Sequence, residues 1–232
     1  LQLTMELRKK FKKDEVAILA LSGTSEKEIV ASFLKYGAND FLYKDFSDEE
    51  FFARVNNNLD VIELFEHTQD KAKKDYMTGL FNKAYFLNEA KDIYARAKAK
   101  KDLLAVILIE IDEFNVICDS YGHDVGDEAI KQLSKILIKY FNEDSVVARF
   151  GSDQFCIILQ NRPYAELTQM FEELQEIVSS TALELENYKH NFTISIGTNI
   201  NLLGSVEDMM ESADDALYKA QENGTNRYKI NS

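Results

Sequence analysis

Seven apolar residues in a row, Leu103-Leu104-Ala105-Val106-Ile107-Leu108-Ile109, run straight into Glu110-Ile111-Asp112. The run has the length of a strand and no polar alternation, which is the pattern of a strand covered on both faces. A chain that carries it must build a sheet around it, and acids gather where that strand leaves the sheet. A second stretch supplies a third acid. Residues 145–150 are rich in β-branched and aromatic side chains, and Phe155-Cys156-Ile157-Ile158-Leu159 is almost wholly apolar. The turn Arg149-Phe150-Gly151-Ser152-Asp153-Gln154-Phe155 lies between them, so the whole reads as a β-hairpin. Gly151-Ser152 suits the first central positions of a II′-type turn, in which glycine takes a positive φ. Asp153 is left at the tip. Two acids at the end of a central strand, beside a hairpin acid, form the oxygen-only donor set that Mg²⁺ uses with nucleotide phosphates. The plain alternative is three unrelated acids solvated at the surface of an acid-rich chain.

A chain of 232 residues with 45% hydrophobic content has material for one or two globular domains. Its formal net charge of -13 argues against nucleic acid or an anionic membrane as the main partner. No segment has the length of a membrane span and no signal-peptide pattern opens the sequence, so a cytoplasmic location is expected. Cys118 and Cys156 have no close spacing with each other or with the histidines, which points away from zinc and disulfides and towards two small core residues. The sequence opens on Leu1, and a piece of something longer is the expectation.

In chain order, Leu3, Leu7 and Phe11 fall at helical spacing. Val16-Ala17-Ile18-Leu19-Ala20-Leu21 reads as a buried strand. Ser25, with Glu28 three residues on, offers an N-cap for a helix through Ile29, Phe33 and Leu34 that stops near Gly37. Phe41-Leu42-Tyr43 is a second short strand. Ser47 caps a further helix through Phe51, Val55, Leu59, Ile62 and Leu64, running on towards Lys74. Beyond Asp75, Asp127 or its neighbour caps a helix with Ile130, Leu133, Leu137 and Phe141 on its apolar face. Pro163 takes the first position of a helix that turns Leu167, Met170, Phe171, Leu174 and Val178 inward. Residues 192–200 form a strand. Ser205 with Asp208 opens a last helix, striped by Met209, Ala213, Ala216, Leu217 and Ala220 and ended by Gly224. Strands and helices interleave without βαβ regularity, so the fold class is α+β, an antiparallel-rich sheet flanked by helices.

Six stretches carry a family resemblance, and they stand in the family's order: Asp75-Tyr76-Met77-Thr78-Gly79-Leu80-Phe81-Asn82-Lys83, residues 109–114, Tyr121-Gly122-His123-Asp124-Val125-Gly126-Asp127, Gly151-Ser152-Asp153-Gln154-Phe155, Thr193-Ile194-Ser195-Ile196-Gly197 and Ala213-Asp214-Asp215-Ala216-Leu217-Tyr218-Lys219-Ala220. The chain resembles GGDEF domains, whose fold is similar to the palm of nucleotidyl cyclases. Active members are diguanylate cyclases, which join two GTP molecules into cyclic di-GMP across a homodimer. The resemblance implies metal binding at Glu110 (an aspartate in the family), the Ile111 carbonyl and Asp153, with Mg²⁺ as the ion and its binding weak. It puts Gln154 at the position of the glutamate that assists deprotonation of the attacking hydroxyl. Glutamine takes no proton near neutral pH, and losing a general base costs about 10²- to 10⁴-fold. The guanine contacts correspond to Cys118, where the family has asparagine, and Asp127, which matches. The phosphate-holding lysine and arginine correspond to Gln221 and Thr225, so both cations are gone. Phosphoryl transfer rests on positioning and electrostatics, and this set is degraded in both. The family's product-inhibition motif falls at Asn142-Glu143-Asp144-Ser145, where neither end residue matches.

Residues 1–67 resemble the C-terminal half of a response-regulator receiver domain with its last helix. Ser22 matches the hydroxyl that senses the phosphoryl group, Phe41 the aromatic switch and Lys44 the phosphoryl-contacting lysine, while Asp45 replaces the usual proline. Residues 68–74 are then a helical connector and residues 75–232 a degenerate GGDEF domain. The expected protein is a two-component or cyclic di-GMP-type signalling module, catalytically inactive, acting by contact with an unidentified protein partner or by allostery. A diguanylate cyclase of low activity and a non-catalytic GTP sensor are the alternatives. A partial receiver sheet leaves the strand at residues 16–21 with an open edge, to be covered by a second copy or by packing on the GGDEF unit or the connector helix, and a homodimer is the expected solution.

Overall fold

The computed structural model describes residues 1–23, 27–141, 145–185 and 188–232. They divide into two compact units, Leu1–Ala72 and Lys73–Ser232. The first contains α1 (Gln2–Arg8), β1 (Leu19–Ser22), α2 (Lys27–Lys35), β2 (Asp40–Tyr43) and α3 (Asp48–Lys73). β1 and β2 run parallel, with Leu19 opposite Asp40 and Ser22 opposite Tyr43. Their small core is Ala20, Ala38 and Phe41, with Ile18, Val30 and Phe33 packed against it. Gly37, at φ 109°, turns the chain after α2 in the left-handed conformation that glycine accepts without strain. Ser47 caps α3 as expected, its Oγ accepting the Glu50 amide at 3.2 Å. The anticipated cap at Ser25 lies outside the described residues.

Two expectations for this unit need correction. The apolar spacing through Phe11 overstates α1, which stops at Arg8. The Arg8 guanidinium donates to the carbonyls of Gly37, Phe11, Lys12 and Val16 and to Asn39 Oδ1, and this folds the following residues back across the helix end. The same contacts shorten the strand expected at residues 16–21. Asn39 Oδ1 accepts the Ile18 amide at 2.9 Å and the Asn39 amide donates to the Ile18 carbonyl at 2.8 Å, so residues 16–18 are held by a loop and the ladder begins at Leu19. Leu21 is exposed, so the strand is covered on one face only. Among the described residues β1 pairs with β2 alone.

The second unit contains β3 (Phe81–Asn82), α4 (Lys83–Lys100), β4 (Leu104–Ile111), α5 (Phe114–Tyr121), α6 (His123–Tyr140), β5 (Ser145–Arg149), β6 (Gln154–Gln160), α7 (Tyr164–Ser180), β7 (Leu183–Leu185), β8 (Tyr188–His190), β9 (Ile194–Asn199), α8 (Val206–Glu222) and β10 (Tyr228–Asn231). Its main sheet has the order β10-β9-β4-β6-β5-β3, antiparallel from β9 to β5 and parallel at both outer pairs. This is the expected α+β palm with helices on both faces. β4 lies in the middle, and its alternation divides the core. Ala105, Ile107, Ile109 and Ile111 face the side covered by α6 and α7, while Leu104, Val106 and Leu108 face α4 and α8. A fully buried side chain of this size contributes about 1.5–3 kcal/mol, which is why this strand tolerates no polar residue before its end.

Asp127 is not a cap. Gly122, at φ 93°, ends α5 and begins α6, so the second helix starts before Asp127 and carries it in its interior. Pro163 sits at the N-cap of α7, one residue ahead of its expected place. Ser205 caps α8, its Oγ accepting the Asp208 amide at 3.1 Å, and Gly224 follows the helix at φ 105°. No helix among the described residues is long and apolar enough to cross a membrane.

Candidate functional site

Glu110 continues the face of β4 that carries Leu104, Val106 and Leu108, and so it points to the α8 side of the sheet once the apolar run ends. In the ladder it stands opposite Gln154 of β6 and Ser195 of β9. Gln221, one residue before the end of α8, reaches the same carboxylate. Its Nε2 donates to Glu110 Oε1 at 3.0 Å, and Gln154 Nε2 donates to Oε2 at 3.5 Å, the long end of the hydrogen-bond range. Glu110 is half-buried. Burial pushes its carboxyl above the ordinary value, the Gln221 amide pulls it back, and the like charges of Asp153, Asp214 and Asp112 push it up again.

The hairpin tip is wider than expected. β5 and β6 close at the Arg149–Phe155 pair, and the Phe150 and Gly151 amides both donate to the Gln154 carbonyl, at 2.7 and 3.1 Å. Gly151 does not take a positive φ, so the II′ reading is wrong. The loop of residues 150–153 needs no mirror-image turn because Arg149 supplies its support. Arg149 Nε donates to the Gly151 carbonyl at 3.1 Å and Nη2 to the Ser152 carbonyl at 2.8 Å, while Nη1 meets Asp75 Oδ1 at 3.3 Å. That ion pair is largely buried, and Asp75 is itself fixed by the amide and hydroxyl of Thr78, at 3.0 and 2.8 Å. Neither residue was singled out for this role from sequence. The pairing of an arginine before the turn with an aspartate before Thr78-Gly79 was the available signal. Asp153, held up on the supported loop, accepts from Ser152 Oγ at 2.6 Å, and its carbonyl takes the Ile111 amide at 3.3 Å. Asp153 and Ile111 are thereby brought together.

Asp112 belongs to the scaffold, contrary to its reading as a second site acid. Its carboxylate accepts Thr193 Oγ1 and Ser195 Oγ at 2.6 Å each and the Asn226 amide at 2.7 Å, which ties β9 and the loop after α8 to the end of β4. Cys118 is turned into the contact between α5 and α6. A side chain at Gly126 would collide with its Sγ and with the Phe114 ring. Burial raises the Cys118 thiol, and the carboxylates of Asp119, Asp127 and Asp153 raise it further, so the position assigned to base recognition is acidic in its surroundings. Thr225 is exposed on the loop beyond α8.

In the first unit, the Lys44 amide donates to the Ser22 carbonyl at 2.9 Å, which places these two at the same end of the β1–β2 pair. Lys44, Gly23, Tyr43 and Asp45 line a cavity of about 540 Å³ there. Phe41 is buried, with its ring edge-on to Tyr43 at 5.2 Å.

The family described as "Diguanylate cyclase, GGDEF domain" matches residues 72–227, more than half of the sequence. The chain belongs to the GGDEF family. Its curated relatives include the response regulator PleD of Caulobacter vibrioides, 27% identical over 243 residues that take in 97% of this chain and 52% of that protein. Diguanylate cyclase A of Treponema denticola is 30% identical over 179 residues, covering 75% of this chain and 46% of that protein. The chain thus spans about half the length of the curated relatives it matches. Among solved structures, the coiled coil and GGDEF domain of DgcB from Caulobacter crescentus in complex with c-di-GMP superposes with a TM-score of 0.73 at 25% identity, over 79% of this chain and 98% of that one.

GGDEF cyclases use Mg²⁺, and Glu110, Asp153 and the Ile111 carbonyl are oxygen donors of the right kind. Both oxygens of Glu110 accept amide protons, and among the described residues no three His, Cys, Asp or Glu side chains converge as a cation site.

Proposed function

We propose that this chain is a cytoplasmic signalling module whose GGDEF domain makes no cyclic di-GMP and acts by protein contact or allostery. One observation carries the reading. The residue at the family's base position and the residue at its phosphate-lysine position are both glutamines, and both are spent on Glu110. An amide in that place accepts no proton and neutralises no phosphate. The charges acting on Glu110 are carboxylates, so a triphosphate meets repulsion where an active cyclase supplies cations. The expected result with GTP and Mg²⁺ is that chromatography finds no cyclic di-GMP. Turnover near that of ordinary enzymes, on the order of 1 per second or more, overturns the proposal and favours the cyclase reading. Heat of GTP binding without turnover favours the sensor reading, through Asp127 and Asp153.

Residues 1–67 are proposed as the C-terminal half of a receiver, 68–74 as connector and 75–232 as the degenerate domain. Ser22 and Lys44 at one end of a parallel strand pair support this, as does the match to a response regulator over nearly the whole chain. A homodimer is part of the proposal. α3 leaves Phe52, Leu59, Leu64 and Phe65 more than half exposed, and Phe52, Val55, Leu59 and Ile62 follow the three-four spacing of a helix seam.

A further inference from the structure

We propose that three departures from the family's pattern, Glu110, Gln154 and Gln221, form one device: a lock that holds the end of β4, the start of β6 and the end of α8 together with no cation. The proposal deepens the catalytically silent reading and takes its biological meaning from it. Its physical basis is the complementarity of the three side chains. Each oxygen of the Glu110 carboxylate receives one neutral amide donor, from Gln221 at 3.0 Å and from Gln154 at 3.5 Å. The donors come from residues 44 and 111 positions away, on different elements. Neutral amides suit a half-buried carboxylate whose neighbours Asp153, Asp214 and Asp112 repel it, because each oxygen gains a donor without another ion being brought in. Glutamate is one methylene longer than the aspartate of the family, and that length serves a carboxylate that must span from β4 to α8. A glutamate at 154 would set two carboxylates against each other across the ladder. A lysine at 221 would exchange a neutral donor for a charge. Each of the three residues is therefore explained by the other two, and a divalent ion has to compete with the amide donors for the Glu110 carboxylate. The elements around the vanished reaction centre stay fixed without Mg²⁺ or nucleotide, so the surface they present to a partner does not depend on either.

The test is a Mn²⁺ titration of the full chain without nucleotide, followed by electron paramagnetic resonance and by melting temperature. Wild type is expected to leave millimolar Mn²⁺ free and to melt at the same temperature with and without it. Gln221→Ala is expected to melt lower and, with one oxygen of Glu110 released, to take up Mn²⁺ at concentrations that wild type leaves free. Gln154→Glu is expected to melt lower in chelator and to recover with Mn²⁺, because a metal then relieves the carboxylate pair. Wild type that binds Mn²⁺ as tightly as Gln154→Glu, or a Gln221→Ala protein that melts and binds like wild type, overturns the lock. Cyclic di-GMP formation by wild type in the separate GTP assay refutes the silent reading, whereas the nucleotide-free titration judges the lock alone.

Discussion

Gln154 and Glu110 face each other across one rung of the sheet, and by the family resemblance this rung differs from a catalytic one by an oxygen-for-nitrogen exchange at 154 and an added methylene at 110. Restoring it does not restore the chemistry. Gln154→Glu alone is expected to yield no cyclic di-GMP by chromatography, because Gln221 and Thr225 still stand where two cations are needed. Robust product from that variant would show that the cations matter less than the base. Tyr140 offers a test of a different kind. Burial, and then the hydrogen bond to the Glu173 carboxylate at 3.1 Å, push its phenol from 10 up to about 12. Below pH 10 the phenol is protonated in both the folded and the unfolded chain, so its stabilising effect is present in full. Between pH 10 and about 12 the unfolded chain loses the proton first, and the native state loses that advantage. The melting temperature of Tyr140→Phe should therefore fall less steeply than that of wild type across this window.

At the level of elements, α8 and β9 approach each other closely at Gly197. A Cβ added at Gly197 would overlap the backbone of Ala213 and Leu217, where no flexible side chain can yield. Gly197→Ala is expected to cost about 3 kcal/mol by overpacking, read as a lower midpoint in urea with an unchanged slope. Elements that were plain in the sequence are those whose signal is local. The apolar run ending at Ile109, the Ser205 cap and the stripe on α8 each rest on residues within one or two turns of one another. Elements that escaped notice depend on distant partners. β3 is two residues long and exists because β5 lies beside it, β10 because β9 does, and the β7–β8 pair carries no turn signature that marks it. α4 was missed although Asn82 caps it, Oδ1 taking the Tyr85 amide at 2.9 Å, since its charged residues dilute the apolar stripe. The site divides in the same way. Residue types at 110, 153 and 154 announced themselves. That Asp112 is scaffold, that Cys118 packs against Gly126 and that Gln221 grasps Glu110 are facts of three-dimensional arrangement, which spacing along one element does not reveal.

For the molecule as a whole, the proposed homodimer has a direct measurement. Phe52→Glu combined with Leu59→Glu places charges on the exposed apolar seam of α3, and light scattering over a range of concentrations should then report half the wild-type mass. Equal masses, whether both monomeric or both dimeric, would remove α3 from the interface. The order of strands in the second unit has a further consequence, for the birth of the protein. β4 pairs with β6, which begins at Gln154, and with β9, which ends at Asn199. Synthesis proceeds in chain order, so this strand leaves the ribosome with neither neighbour and gains its second only when most of the chain has been made. Until then the surface that gives the finished domain its cohesion is an open apolar edge on a nascent polypeptide. A product halted before residue 194 is thus no smaller version of the domain, since its central strand has one side bare; it is a client for chaperones and proteases.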